Sequence, residues 1–212
     1  MEQIIPIDDQ PISATFFGEG KWLTDFVTPN AIDVERLYEK VIQGKDSTSE
    51  RLVALRNWVA ENVRYTKFVK GKLWVNGKTS IQDDLWNFPS ITARVRVGNC
   101  ANMSFLLCSL VRHELPVSQV HCVLGNLHNG KPGGHSWVQA RLDGREYIME
   151  STMAAAPALV PADAAERYEA VHLFNDQEAY AIEGRTVMEP FCECFSTWLS
   201  DYLDWAYIEG RK

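Results

Sequence analysis

Three residues of this 212-residue chain have types and spacings that could do covalent chemistry together: Cys100, His135 and Glu150. Cys100 lies in RVRVGNCANMSFLLCSL, residues 94–110, between a polar turn and an apolar run. That places a thiol on the first turn of a helix. Unpaired N–H groups and the partial positive charge at a helix start favour a thiolate. The same N–H groups can receive an oxyanion that develops during attack on a carbonyl. A nucleophile needs a base, and His135 in KPGGHSWVQ is the sharpest candidate. Two glycines precede it and a strand follows, so a partner can approach and the ring is held.

A base in turn needs an orienting acceptor. Asp143 and Gly144 have the composition of a two-residue hairpin turn. Leu142 then pairs with Arg145, and Trp137 comes to face Glu150. His135 lies diagonal to Glu150 on the same face, a separation of roughly 7–8 Å at the backbone that a long side chain can bridge.

The elements that must position these groups follow from periodicity. Residues 1–28 read as an irregular lead-in. Thr28 and Pro29 suit the start of a helix whose apolar stripe (Ile32, Leu37, Val41) runs to Gly44. Ser47 and Glu50 have capping-box spacing before a second helix carrying Leu52, Leu55, Val59 and Val63. Asn76–Gly77 predicts a hairpin, and DDLWNFPS an aromatic loop. The segment from Met103 to Val111 is apolar almost all round, so its helix is buried, and Pro116 stops it. VSQVHCVLGNL, HSWVQARL and REYIME read as strands, 153–165 as a loop, and YEAVHLF with AYAIEG as a hairpin through Asn175–Asp176. The tail from Phe195 to Trp205 has helical spacing and predicts a docked helix. Helices first and antiparallel strands afterwards make an α+β fold, with the cysteine helix packed on an antiparallel sheet. One domain is expected over 1–212: an N-terminal extension and helix (1–46), a core (47–153), and a C-terminal hairpin and helix (154–212).

Composition excludes several classes. A net charge of −7 and a pI near 5.3, with no basic stripe, argue against nucleic acid and anionic membrane surfaces. The start MEQIIPIDDQPISATFF lacks a signal-peptide pattern, and no apolar run is long enough to span a bilayer. Five cysteines without a compact framework suggest reduced thiols and a cytoplasmic location. Cys108 and Cys122 read as core residues. Cys192 and Cys194 form a C-x-C pair with no second pair to complete a zinc site, so no metal is expected. His113, His121, His128 and His172 lack clear partners in sequence. Trp137 reads as packing.

These motifs resemble the transglutaminase-like superfamily, a branch of the papain-like cysteine enzymes. The resemblance rests on Gly98-Asn99-Cys100, Leu115-Pro116-Val117, His135-Ser136-Trp137 and Glu150-Ser151-Thr152, in that order, with RNWVAENVRY (56–65) upstream. It covers roughly residues 47–153. It implies a papain-like core and a Cys–His–acid triad acting on an amide through a thioester, without a cofactor and on a protein or peptide substrate. The family's usual third member is Asp, where this chain has Glu150. The resemblance also implies an upstream tryptophan as oxyanion donor, with Trp86 the candidate and Trp74 the runner-up. A bare domain of this size favours hydrolysis, as in a protease, amidase or deamidase. Protein-crosslinking acyl transfer and a catalytically inactive binding module are the alternatives, and an acetyltransferase-like use of a thioester cofactor is a more distant one. Substrate identity and oligomeric state are not readable from the chain.

Overall fold

Ser47 begins the first well-capped helix. Its hydroxyl accepts the Glu50 N–H at 3.2 Å, and the Glu50 carboxylate accepts the Ser47 N–H at 3.0 Å. The computed structural model describes residues 4–6, 12–16, 19–67, 69, 71–75, 78–82, 86–128 and 132–188. In chain order, strands β1 (Ile4–Pro6), β2 (Ile12–Phe16) and β3 (Glu19–Lys21) precede helices α1 (Ile32–Val41) and α2 (Thr48–Asn62). Strand β4 (Arg64–Tyr65), the hairpin β5 (Gly71–Val75) and β6 (Lys78–Gln82), helix α3 (Pro89–Val95) and strand β7 (Val97–Gly98) lead into α4 (Cys100–Val111). The remainder is β-structure: β8 (Val120–Leu127), β9 (Gly133–Leu142), β10 (Arg145–Met149), β11 (Val160–Pro161), β12 (Tyr168–Phe174) and β13 (Ala179–Ile182).

The main sheet runs β1-β13-β12-β8-β9-β10-β11, and its described pairs are antiparallel. The predicted β9–β10 register holds, with Leu142 opposite Arg145 and Val138 opposite Met149. Asp143 and Gly144 both take positive φ, 51° and 79°, as a two-residue hairpin turn requires.

Every residue of α4 is buried. Its apolar side chains join a core that reaches from Leu23 to Phe174 and includes Val120, Cys122, Leu124, Val138 and Ala140 of the sheet. Phe105 stands at the centre of an aromatic cluster, with ring centroids 5.2 Å from Phe26, 5.2 Å from Trp86 and 5.9 Å from Phe174. The polar Ser109 is satisfied within the core. Its hydroxyl donates to the Phe105 carbonyl at 2.7 Å and accepts the Thr28 N–H at 2.9 Å.

That last bond explains one departure from the sequence expectation. Thr28 is tied to α4 and closes a turn onto Ala31, so α1 starts at Ile32 and not at Pro29. Two further departures are local. Helix α3 follows Phe88 and takes in Pro89 and Ser90, the last two residues of the expected loop, with Pro89 at its first turn. Strand β8 begins only at Val120, after a 3₁₀ turn over Val117–Gln119. The loop over 153–165 contains the short β11, paired with β10. The β5–β6 hairpin is present with Val75 opposite Lys78, while Asn76–Gly77 and the tail expected to be helical lie outside the described residues.

Candidate active site

Strand alternation places His135, Trp137 and Glu150 on one face of the sheet. Trp137 supplies the wall behind the histidine, its ring stacked at 6.2 Å and an interplanar angle of 28°. It is buried, as the packing expectation held. His135 and Glu150 meet directly: Nε2 of the imidazole lies 2.8 Å from the Glu150 Oε2, and both side chains are buried. Beside an ionised carboxylate, Nε2 is the donor in this bond.

Glu150 is held ionised against its burial. Burial alone would raise its pKa. The neighbouring His135 charge, the hydrogen bond from His135 and two hydrogen bonds from Thr152 outweigh that and bring the carboxyl down to about 2. Thr152 donates its N–H at 2.9 Å and its hydroxyl at 2.5 Å to Oε1. The Tyr168 hydroxyl donates to Oε2 at 3.0 Å. Burial first, and then the Glu150 charge, push the Tyr168 phenol far above its ordinary range, so it stays a donor.

Cys100 occupies the first position of α4. Asn99, in extended conformation before it, caps the helix by accepting the Asn102 N–H on Oδ1 at 3.0 Å. With that N–H committed, an oxyanion in this turn cannot be served by Asn102. One turn further along, Ser104 lies 3.5 Å from Ser151, the residue after Glu150. Residues four apart share a helix face, so the Cys100 face of α4 looks toward the end of β10. The expectation of reduced thiols does not hold here: Cys100 is disulfide-bonded. Cys108 and Cys122 are free and buried, and Cys192 and Cys194 lie outside the described residues.

Arg56 was not predicted. It is one of the largest fully buried side chains. Its Nε donates to the Glu150 carbonyl at 2.7 Å, one terminal nitrogen to the Ala154 carbonyl at 3.3 Å, and the other to the Met153 carbonyl. The turn after Glu150 is therefore clamped from α2. Burial lowers the guanidinium pKa, while Glu150 works against that shift. A cation in the apolar stripe of α2, between Leu55 and Val59, was the available sequence signal.

Trp86 packs edge-on against Phe105 and Phe26, and the next residue, Asn87, donates its N–H to Asn102 Oδ1 at 2.6 Å. The segment is thus pinned to the first turn of α4. The Trp74 side chain lies outside the described residues. His113 bonds the Pro29 carbonyl at 3.1 Å, His121 pairs with Glu178 at 2.9 Å, and His128 with Glu169 at 3.1 Å; His172 is half-buried on β12. Among the described residues no group of three His, Cys, Asp or Glu could hold a metal ion, and no helix is long and apolar enough to cross a membrane.

The sequence profile of the Transglutaminase-like superfamily matches residues 35–149. Among solved structures, Legionella pneumophila LapG is similar with a TM-score of 0.52 and 14% identity, over 70% of this chain and 75% of that one. An EGTA-treated structure of the same Legionella pneumophila protein gives a TM-score of 0.50 and 16% identity, over 73% and 77%. No curated protein sequence matches.

Proposed function

We propose that this chain, which belongs to the transglutaminase-like superfamily, is a thiol enzyme that cleaves an amide or peptide bond through a thioester on Cys100. The observation that carries the proposal is the buried His135–Glu150 pair at 2.8 Å. An inert binding module has no use for an ionised carboxylate held in the core to orient a histidine.

The reaction starts from reduced Cys100, since a disulfide sulfur is not a nucleophile. The thiolate attacks the amide carbonyl carbon, and the carbonyl electrons move onto oxygen. Backbone N–H groups at the start of α4, with the Trp86 indole, receive that oxyanion. The tetrahedral intermediate collapses, the C–N bond breaks, and His135 gives its proton to the leaving amine. His135 then takes a proton from water, which attacks the thioester, releases the acid and restores the thiolate. Glu150 holds the imidazole tautomer throughout and does not itself take the proton. The chain's net charge of −7 favours neutral or cationic peptide substrates.

The test is acylation of the reduced protein by p-nitrophenyl acetate. The expected result is a stoichiometric burst and an acetyl adduct at Cys100 in peptide mass spectrometry, absent in Cys100→Ser. Added glycine methyl ester, with an enzyme-free control, separates the outcomes of the thioester: an N-acetyl product that displaces most of the acid marks acyl transfer to amines, and dominant acid marks hydrolysis. Absence of an adduct at reduced Cys100 overturns the proposal.

A further inference from the structure

The Glu150 carboxylate has about four lone-pair positions, and four donors occupy them. Oε1 takes the Thr152 N–H and hydroxyl, and Oε2 takes His135 and Tyr168. Three of these donors come from elements adjacent in the hairpin or from the turn beside it. Tyr168 does not. It sits at the start of β12, which pairs with β8 and not with β9 or β10. Its ring reaches past Leu127 and packs edge-on against Trp137, at 5.1 Å and 70°, and tilted against His135 at 6.4 Å. The end of the strand is fixed from both sides: Tyr168 N–H bonds the Ala165 carbonyl at 2.9 Å, and the Arg167 carbonyl accepts the His128 N–H at 2.8 Å.

We propose that Tyr168 is a positioning residue of this site: its hydroxyl fixes the plane of the Glu150 carboxylate and shares Oε2 with His135, so that one imidazole orientation is kept. This rests on the Cys100–His135–Glu150 reading above. The terminal torsion of a glutamate is broad and roughly two-fold. Thr152 restrains one oxygen only. The phenol is the second point that stops the carboxylate rotating about that oxygen. The charged or titratable groups facing Glu150 are His135 from β9, Tyr168 from β12 and Arg56 from α2.

The experiment uses reduced full-length protein labelled with ¹⁵N-histidine, wild type and Tyr168→Phe. The substitution keeps the ring against Trp137 and removes only the hydroxyl. The expected result is a set of His135 ring resonances that shift and broaden as more than one imidazole orientation is populated, together with an acylation rate at saturating p-nitrophenyl acetate about tenfold lower and an unchanged KM. Unchanged His135 ring resonances with an unchanged rate overturn the proposal and leave Tyr168 as packing. Should Tyr168→Phe not fold, Glu150→Gln with ¹³Cζ-tyrosine label replaces it. Loss of the anionic neighbour must then lower the Tyr168 ionisation midpoint, and no change overturns the link. A wild type that forms no adduct at Cys100 refutes the enzymatic reading, and the His135 ring resonances still report on the positioning.

Discussion

Ser104 Oγ lies 3.5 Å from Ser151 Oγ, with both residues buried. The contact joins the helix that Cys100 opens to the residue beside Glu150. It ties α4 to the turn that follows Glu150. Arg56 of α2 holds the same turn through the carbonyls of residues 150, 153 and 154.

Cysteine reactivity should separate sharply once the disulfide is reduced. Burial pushes the Cys122 thiol up to about 12 and the Cys108 thiol well above its ordinary value. Iodoacetamide should label reduced Cys100 well below pH 8.5, near which an unperturbed thiol titrates. Cys108 and Cys122 should label only on unfolding, and His135→Ala should remove the Cys100 advantage. Without a reducing agent Cys100 should not label at all. Peptide mass spectrometry after timed quenching reads all four outcomes.

Glu150→Gln keeps the shape of the acid and reverses its preference for the histidine tautomer. Acylation should fall about 10²- to 10⁴-fold, by analogy with removing the orienting acid of a hydrolase triad. His135→Ala should cost at least as much, and the double variant little more than the worse single one, because the two act as a unit. Burst kinetics with p-nitrophenyl acetate measure each.

The β9–β10 register and the turn residues Asp143–Gly144 were legible because a two-residue hairpin fixes its own pairing, and that alone put His135 beside Glu150. The buried α4 was legible from its lack of polar residues. What was not legible depends on contacts between distant segments. Tyr168 reaches Glu150 only because β12 returns beside β8, a strand order no local pattern encodes. Arg56 in α2 read as one polar residue among others until its partners, carbonyls of residues 150, 153 and 154, were brought to it. The delayed start of α1 has the same origin, since Thr28 answers to Ser109 and not to its own helix.

Acid titration should expose the Glu150 carboxylate. Its folded pKa of about 2 lies below the ordinary value of 4.5. A depressed carboxyl contributes its full stabilisation above the unfolded pKa and loses it as pH falls through the folded one. The stability difference between wild type and Glu150→Gln should be constant above about pH 5 and should shrink steadily from about pH 4.5 toward 2. Urea unfolding across that range checks the slope.

Gly125 sits opposite His135 on β8, under the indole of Trp137. A Cβ there would lie 2.2 Å from the Glu169 carbonyl and 2.5 Å from the Trp137 ring. Backbone on one side and a buried ring on the other leave no room to give. Gly125→Ala should therefore destabilise the protein by about 1–3 kcal/mol, the usual range for overpacking. It should also slow acylation, because Trp137 backs the His135 ring. A lowered urea midpoint with unchanged slope would measure the first effect.

The clamp from Arg56 also sets an order of events on the ribosome. The guanidinium is made with α2, yet the carbonyls that receive it, at 150, 153 and 154, follow 94 or more residues later. At about 5–20 residues per second, that is a wait of several seconds or more. Until those residues emerge, the guanidinium has only the neighbouring Asn57 Oδ1, at 3.0 Å, among its folded-state acceptors. A buried cation without its acceptors is costly, so the burial of Arg56 waits on the turn after Glu150.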